Sequence, residues 1–304
     1  MITISRMTNE NSLATLSAQM ADAVEIIARS LVTVNGRQRQ AATGIAYAAD
    51  LVLTADHVVE RDDNLTVVTP DGRTLPAQLA GRDGSSDLAV LRVTGLNTPA
   101  AAAAPSARVG ALALAVGRPT EEGVVASSGI VSAVGGPVRM GRNAQLDRFI
   151  RTDAIPYPGF SGGALIDASG AAYGLLTTGL VRGTAIVIPM DIALRVAGTL
   201  TQHGYVKRGY LGVVTQQAAV PPAQRAALKQ EHGLLVVRVE ENGPAEKGGL
   251  IVGDMLLALD GHPVTDADDL LGMLSGDRVG KTVSVRVLRG GQPADIAVTV
   301  GARD

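Results

Sequence analysis

The chain contains no cysteine. Disulfides, thiolate nucleophiles and cysteine-ligated zinc are therefore excluded, and the fold must be held by its apolar core. No apolar run approaches the roughly 18 residues that a membrane helix needs, so no membrane span is expected. The first 20 residues are polar, broken by Asn9, Glu10, Asn11 and Gln19, and lack the apolar centre of a secretion signal. The sequence as written is expected to be cytoplasmic, or periplasmic or secreted if a leader was removed. Excess charge is missing too. With 27 basic and 29 acidic residues the net charge is -2, which offers no basis for a nucleic acid or anionic membrane as partner. Aromatic residues make up 2% of the chain and none precedes Tyr47. Histidine occurs four times, so a catalytic imidazole has only four possible positions.

What remains is a globular balance of 46% apolar and 18% charged residues over 304 positions, enough for two domains or one large one. Leu13, Leu16, Met20, Val24 and Ile27 recur at helical spacing and predict an amphipathic helix within residues 12–30. From Leu31 to Pro189 the pattern changes to short β-branched runs between Gly, Asp-Gly and Pro breaks. Such runs (31–34, 51–53, 65–68, 88–93, 112–116, 129–134, 172–176 and 184–188) predict an all-β barrel or sandwich. Pro99, a run of alanines and Pro105 mark a loop between two β-halves. Residues 190–203 look helical, and 204–209 read as a linker. A smaller α+β pattern follows, with strands near 211–215, 234–239, 255–259, 283–288 and 296–300 and a helix beginning near Asp266.

Chemistry enters with three short segments. His57 alone among the four histidines follows an apolar strand, in Leu53-Thr54-Ala55-Asp56-His57-Val58-Val59. Asp87 opens another strand, and Ser161 lies in Gly159-Phe160-Ser161-Gly162-Gly163, where small residues permit a tight turn. Nucleophilic catalysis by serine needs a base to take its proton and an acid to orient that base. The order His, Asp, Ser is that of the chymotrypsin-type double barrel. No histidine or acidic cluster completes a metal site around His57 and Glu60, and 83–87 lacks the alternating acids of a calcium loop. No metal and no cofactor are expected.

These segments resemble those of the HtrA (Deg) family of bacterial and organellar proteases: Thr54 to Val59, Asp87 to Leu91, and Thr152-Asp153-Ala154 leading to Gly159 to Leu165. The 30 residues from His57 to Asp87 and the 74 from Asp87 to Ser161 match that family's spacing, as does Val109-Gly110 to Gly117. The resemblance implies a mainly β fold, with a chymotrypsin-like double six-stranded β-barrel over 31–203 behind the N-terminal helix. It implies that Ser161 attacks, His57 is general base and acid, Asp87 holds the imidazole, and the N–H groups of Gly159 and Ser161 form the oxyanion hole. Two residues depart from the family pattern: Phe160 and Tyr157 stand where asparagines are usual. An aromatic at 160 is expected either to gate substrate entry or to pack under a neighbouring loop. Ile155, where trypsin-like enzymes place an acid for basic substrates, is apolar like Pro156, Leu175, Leu176 and Ile186. This set predicts a substrate pocket for small or medium aliphatic residues.

In the C-terminal region, Arg208-Gly209-Tyr210-Leu211-Gly212-Val213, with Gly243 to Leu250 and Gly253-Asp254, resembles a PDZ domain of the HtrA type, assigned to 204–304. Successive N–H groups around the glycine of the Tyr210-Leu211-Gly212-Val213 loop would take a C-terminal carboxylate, with Leu211, Val213, Leu270, Met273 and Leu274 lining the apolar side-chain pocket. The resemblance implies an ATP-independent endopeptidase acting on unfolded or partly unfolded proteins and binding C-terminal peptides, with a homotrimer as the family's expected assembly. The alternative is a peptide-binding scaffold or chaperone whose barrel is catalytically silent.

Overall fold

The computed structural model describes residues 11–38, 40–120, 122–140, 144–181, 184–206, 208–274 and 278–303. The chain divides into two compact units, Met1–Tyr205 and Val206–Asp304.

Unit one opens with α1 (Ser12–Ala28), capped by Asn11, whose side chain accepts the Ala14 N–H. Only Ala23 and Ile27 of this helix are buried. Leu13 and Leu16, expected on the packed stripe, are exposed, and the helix is buried only in its C-terminal half.

The first barrel comprises β1 (Leu31–Asn35), β2 (Ala42–Ala48), β3 (Leu51–Ala55), β4 (Leu65–Val68), β5 (Thr74–Asp83) and β6 (Leu88–Arg92). Its six strands close in the order β1-β2-β3-β6-β5-β4. Alternate residues such as Val32, Val34, Ala89 and Leu91 point to one side and fill the barrel. The residues between them, including Leu53, Leu88 and Val90, are buried as well, which gives these strands their continuous apolar runs.

The second barrel is built from β7 (Leu112–Thr120), β8 (Gly123–Gly135), β11 (Phe149–Thr152), β12 (Ala164–Ile166), β13 (Ala172–Val181) and β14 (Thr184–Pro189). It closes as β11-β14-β13-β12-β7-β8, while β9 (Val138–Met140) and β10 (Ala144–Leu146) form a hairpin outside it. The Ala-rich connection between the barrels is held by the Ala101 N–H on the Ala46 carbonyl and the Ala104 N–H on the Ala172 carbonyl. Helix α2 (Met190–His203) packs against β5, β6 and β13, spanning both barrels, and ends at Gly204 in the left-handed conformation.

In unit two, β15 (Arg208–Tyr210) pairs with β22 (Gly301–Arg303). The remaining strands are β16 (Val213–Ala219), β17 (His232–Val239), β18 (Met255–Leu259), β19 (His262–Pro263), β20 (Thr282–Arg289) and β21 (Gln292–Thr299). They form one sheet in the order β16-β17-β18-β20-β21, with β19 beside β18. Three short helices accompany it: α3 (Pro222–Leu228), α4 (Pro244–Gly248) and α5 (Ala267–Met273). Asp266 caps α5 by accepting the Asp269 N–H, so the helix starts where the sequence places it.

Candidate active site

Antiparallel pairing of β3 with β6 sets Ala55 opposite Leu88. His57 and Asp87 each lie just beyond the paired residues, at the same end of neighbouring strands. After Ala55 the chain makes one 3₁₀ turn, Asp56–Val58, while the Asp56 N–H extends the ladder onto the Asp87 carbonyl at 3.1 Å. Asp87 itself sits at φ +54, in the left-handed region that aspartate tolerates better than most residues. Its buried carboxylate accepts the His57 backbone N–H at 2.9 Å and lies 2.8 and 3.0 Å from His57 Nδ1. A carboxylate can only accept, so the imidazole proton is on Nδ1 and Nε2 is left as the free base. Thr177 Oγ1 donates a further bond to Asp87 Oδ2.

Arg82 braces the histidine turn from β5. It donates from Nε to Asp56 Oδ1 at 2.6 Å and from Nη2 to the Val59 carbonyl at 2.9 Å. Burial raises the Asp56 carboxyl above its ordinary pKa; the Arg82 hydrogen bond opposes that only in part, and the charges of Asp87 and Asp83 add to the rise. The loop before Asp87 is closed by its own hydrogen bonds, with Asp83 accepting from both hydroxyls and both N–H groups of Ser85 and Ser86.

Ser161 is 6% exposed on a tight turn in which the Phe160 N–H reaches the Tyr157 carbonyl and the Gly163 N–H reaches the Phe160 carbonyl. Gly162 has φ +86, and a side-chain carbon there would lie 1.9 Å from the Thr43 carbonyl oxygen, so only glycine fits. Thr43 clamps the turn from the first barrel. Its N–H donates to the Ser161 carbonyl, its hydroxyl donates to the Gly159 carbonyl at 2.8 Å, and that hydroxyl in turn accepts the Arg118 N–H. With the Gly159 carbonyl drawn towards Thr43, the N–H groups of Gly159 and Ser161 are left without an acceptor among the described residues. Two free N–H groups flanking a buried hydroxyl form a cradle suited to an oxyanion. Ser161 Oγ shares a 3.1 Å hydrogen bond with Thr178 Oγ1, and among the described residues none joins Ser161 to His57.

In unit two an open cleft of ≈ 440 Å³ lies between β16 and α5. Tyr210, Leu211, Gly212, Val213, Leu270 and Leu274, all singled out from the sequence, line it, whereas Met273 packs against the unit's core. Val214, Leu271, Arg238, Glu240 and Glu241 also line it and were not expected. Gly212 stands at φ +78, and the N–H groups of Leu211 and Gly212 make no hydrogen bond among the described residues.

Residues 42–175 match the trypsin-like peptidase domain family and residues 209–300 the PDZ domain family. A probable periplasmic serine endoprotease, DegP-like, of Ectopseudomonas mendocina is 38% identical over 280 residues, covering 88% of this chain and 58% of that relative. A relative of the same description from Halomonas elongata is 34% identical over 277 residues, covering 87% and 57%. The chain thus spans under three fifths of the length of these curated relatives. Among solved structures, the HtrA-type protease AlgW with decapeptide is similar at TM-score 0.75 and 31% identity, over 94% of this chain and 99% of that one. This chain belongs to the HtrA family. The serine endoprotease from Yersinia pestis is similar at TM-score 0.74 and 30% identity, over 94% and 98%. The double barrel, the helix that precedes it and the PDZ domain are the architecture that the family resemblance implies.

Within this HtrA-family barrel the aromatic departure at 160 packs inward. Phe160 is fully buried in the second-barrel core with Ala113, Ala115, Val131, Leu165 and Leu176, and its ring meets Tyr157 edge-on at 5.5 Å. Gly117 makes room for it, since a side-chain carbon there would come within 2.7 Å of the ring. The apolar set expected to line a substrate pocket is spread: Leu175, Leu176 and Ile186 are buried, Leu176 in the barrel core, while Ile155 is 59% exposed and Pro156 half-buried. Asp153 of the Thr152-Asp153-Ala154 segment accepts the Ile130 N–H at 2.7 Å and ties β8 to the approach of the serine turn.

Proposed function

We propose that this chain is a serine endopeptidase working by acyl transfer. The observation that carries the reading is the His57–Asp87 pair held at 2.8 Å, with buried Ser161 beside two unpaired N–H groups. Ser161 Oγ attacks the peptide carbonyl as His57 Nε2 takes its proton, and Asp87 holds the imidazole with Nδ1 protonated. The N–H groups of Gly159 and Ser161 bind the negative oxygen of the tetrahedral intermediate, each donor worth about 3 kcal/mol in other proteases. His57 then gives the proton to the departing amine, and water repeats the sequence on the acyl-enzyme. Peptide hydrolysis runs downhill, so no nucleotide is needed.

Substrates are unfolded or partly unfolded proteins, cleaved after small or medium aliphatic residues. Past Leu175, the β13 edge that served β12 has no strand partner among the described residues, which supports an extended chain lying there. The PDZ domain takes C-terminal peptides in the β16–α5 cleft, supported by the unpaired N–H groups of Leu211 and Gly212 and the apolar walls at Val213, Val214 and Leu271. Assembly as a homotrimer and a periplasmic setting follow from the family reading.

A second reading, a catalytically silent peptide-binding scaffold, is favoured by one observation: Ser161 bonds to Thr178 and not to His57. Casein digestion separates the two. The protease reading expects digestion by the wild type, faster with hydrophobic C-terminal peptides and absent in Ser161→Ala; equal, background-level digestion by both proteins supports the scaffold.

A further inference from the structure

Three consecutive residues of β13, Thr177, Thr178 and Gly179, each touch a different member of the His57–Asp87–Ser161 set. Successive side chains of a strand point to opposite faces. Thr177 therefore reaches inward to Asp87 Oδ2 while the exposed Thr178 turns the other way, to Ser161. The Gly179 N–H donates to Thr177 Oγ1 at 3.0 Å and continues the chain of hydrogen bonds that ends on Nδ1 of the imidazole. Gly179 itself lies against the pair, for a side-chain carbon there would stand 2.5 Å from His57 Nδ1 and 2.6 Å from Asp87 Oδ2. One strand segment thus orients the acid, limits the space of the base and holds the nucleophile.

We propose that Thr178 is a positioning residue that latches the Ser161 hydroxyl away from His57 until substrate displaces it. This rests on the protease reading above. For Ser161 Oγ to pass its proton to Nε2, its hydrogen bond must move from Thr178 to the imidazole. The 3.1 Å hydroxyl–hydroxyl bond competes with the productive one and holds down the rate of attack without altering how a ligand binds. Thr178 is exposed, so a peptide lying along the β13 edge reaches it and can break the contact. Removing the hydroxyl while keeping the shape, as in Thr178→Val, frees the serine. Thr178→Ser restores the latch.

The test measures labelling of the full chain by a small fluorophosphonate, resolved into the first-order constant kinact and the binding constant KI, with thermal stability read in parallel. We expect Thr178→Val to raise kinact roughly threefold to tenfold, the size of one competing hydrogen bond, with KI unchanged. Thr178→Ser returns to the wild-type value. Wild-type labelling that is abolished by His57→Ala, with Thr178→Val no faster, overturns the latch and leaves the triad reading standing. Equal slowing in Thr178→Val and Thr178→Ser assigns the residue a merely structural role and also overturns it. Absence of labelling in wild type and Thr178→Val alike overturns both readings.

Discussion

At the residue scale, much of the site's geometry is set by groups without chemistry of their own. Gly179 leaves no space between its Cα and the His57–Asp87 pair, so Gly179→Ala should push the imidazole off its carboxylate. A displacement of that kind costs roughly 100-fold or more in rate. A steady-state assay of peptide hydrolysis checks it, with circular dichroism expected to report an intact barrel. Thr43 is the second such residue. Replacing it with valine removes the bond to the Gly159 carbonyl and leaves the Arg118 N–H unpaired. Thr43→Val should destabilise unit one by about 1–3 kcal/mol and lower kcat more than it changes KM, because the oxyanion cradle loosens while substrate contacts remain. Urea unfolding and initial-rate kinetics measure the two effects. His57, Asp87 and Ser161 are legible in the sequence because residue type, order and spacing coincide. Thr43, Arg82, Thr177 and Thr178 are not, because their roles arise only when separate strands meet. Nothing around Thr43 in Ala42-Thr43-Gly44 distinguishes it from any threonine in a strand.

At the scale of elements, the strands that announce themselves are those buried on both faces. The runs at 31–34 and 65–68 lie in β1 and β4, and that at 88–93 covers β6 and the residue after it, but β2 and β5 have no such signal. β2 is Ala-Thr-Gly-Ile-Ala-Tyr-Ala, small residues that pack closely on neighbours, and β5 carries Pro76, Gln78 and Gly81 in a strand that is only partly buried. Pro76 pairs with Thr66 on β4 but precedes the stretch of β5 that pairs with β6, which begins at Gln78, so its missing N–H falls where β5 has a strand partner on one side only. Ile155 enters the substrate-pocket expectation by its position before Ser161, but Pro156, Leu175, Leu176 and Ile186 by apolar character, which cannot distinguish a residue facing a cavity from one facing a barrel core; Leu176 faces the core. Phe160 illustrates the same point from the other side. It belongs to the serine turn in sequence and to the second barrel in packing, with Gly117 as the complementary hollow. Phe160→Ala should cost about 3–5 kcal/mol through the cavity it leaves. The loss should appear as a lower thermal midpoint together with reduced activity, since the turn carrying Ser161 loses its anchor. A variant that keeps its midpoint would show that the ring is not the anchor described here.

At the scale of the whole molecule, the chain forms two units, each with its own core, and the proposed function gives each its own kind of recognition. The sequence signals both units through their motifs, whereas α3 escapes because Pro222–Leu228 has no buried residue and therefore no apolar stripe to read. Unit two is held in part by a charge pair. Asp254 is fully buried and accepts from Arg289 Nε and Nη2, both at 2.8 Å, and from the Ile251 N–H. Burial pushes its carboxyl up, yet the bonds from Arg289 and Ile251 together outweigh that and leave the pKa below the ordinary aspartate value. A lowered folded pKa means that the stabilisation is complete above the usual aspartate value, about 3.9, and is lost as pH falls through the lowered one. Arg289→Met strands the carboxylate. It should destabilise unit two at neutral pH, and by progressively less on acidification. Amide exchange in β17, β18 and β20 of the full chain reads this effect without disturbing the barrels.

The central claim, that Ser161 is a nucleophile made reactive by His57, is tested most directly by intact-mass analysis after incubation with a fluorophosphonate. One adduct per chain, mapped to the peptide that contains Ser161 and absent in His57→Ala, is the result this account predicts. An adduct that persists in His57→Ala at the wild-type rate, or maps to another residue, would contradict it.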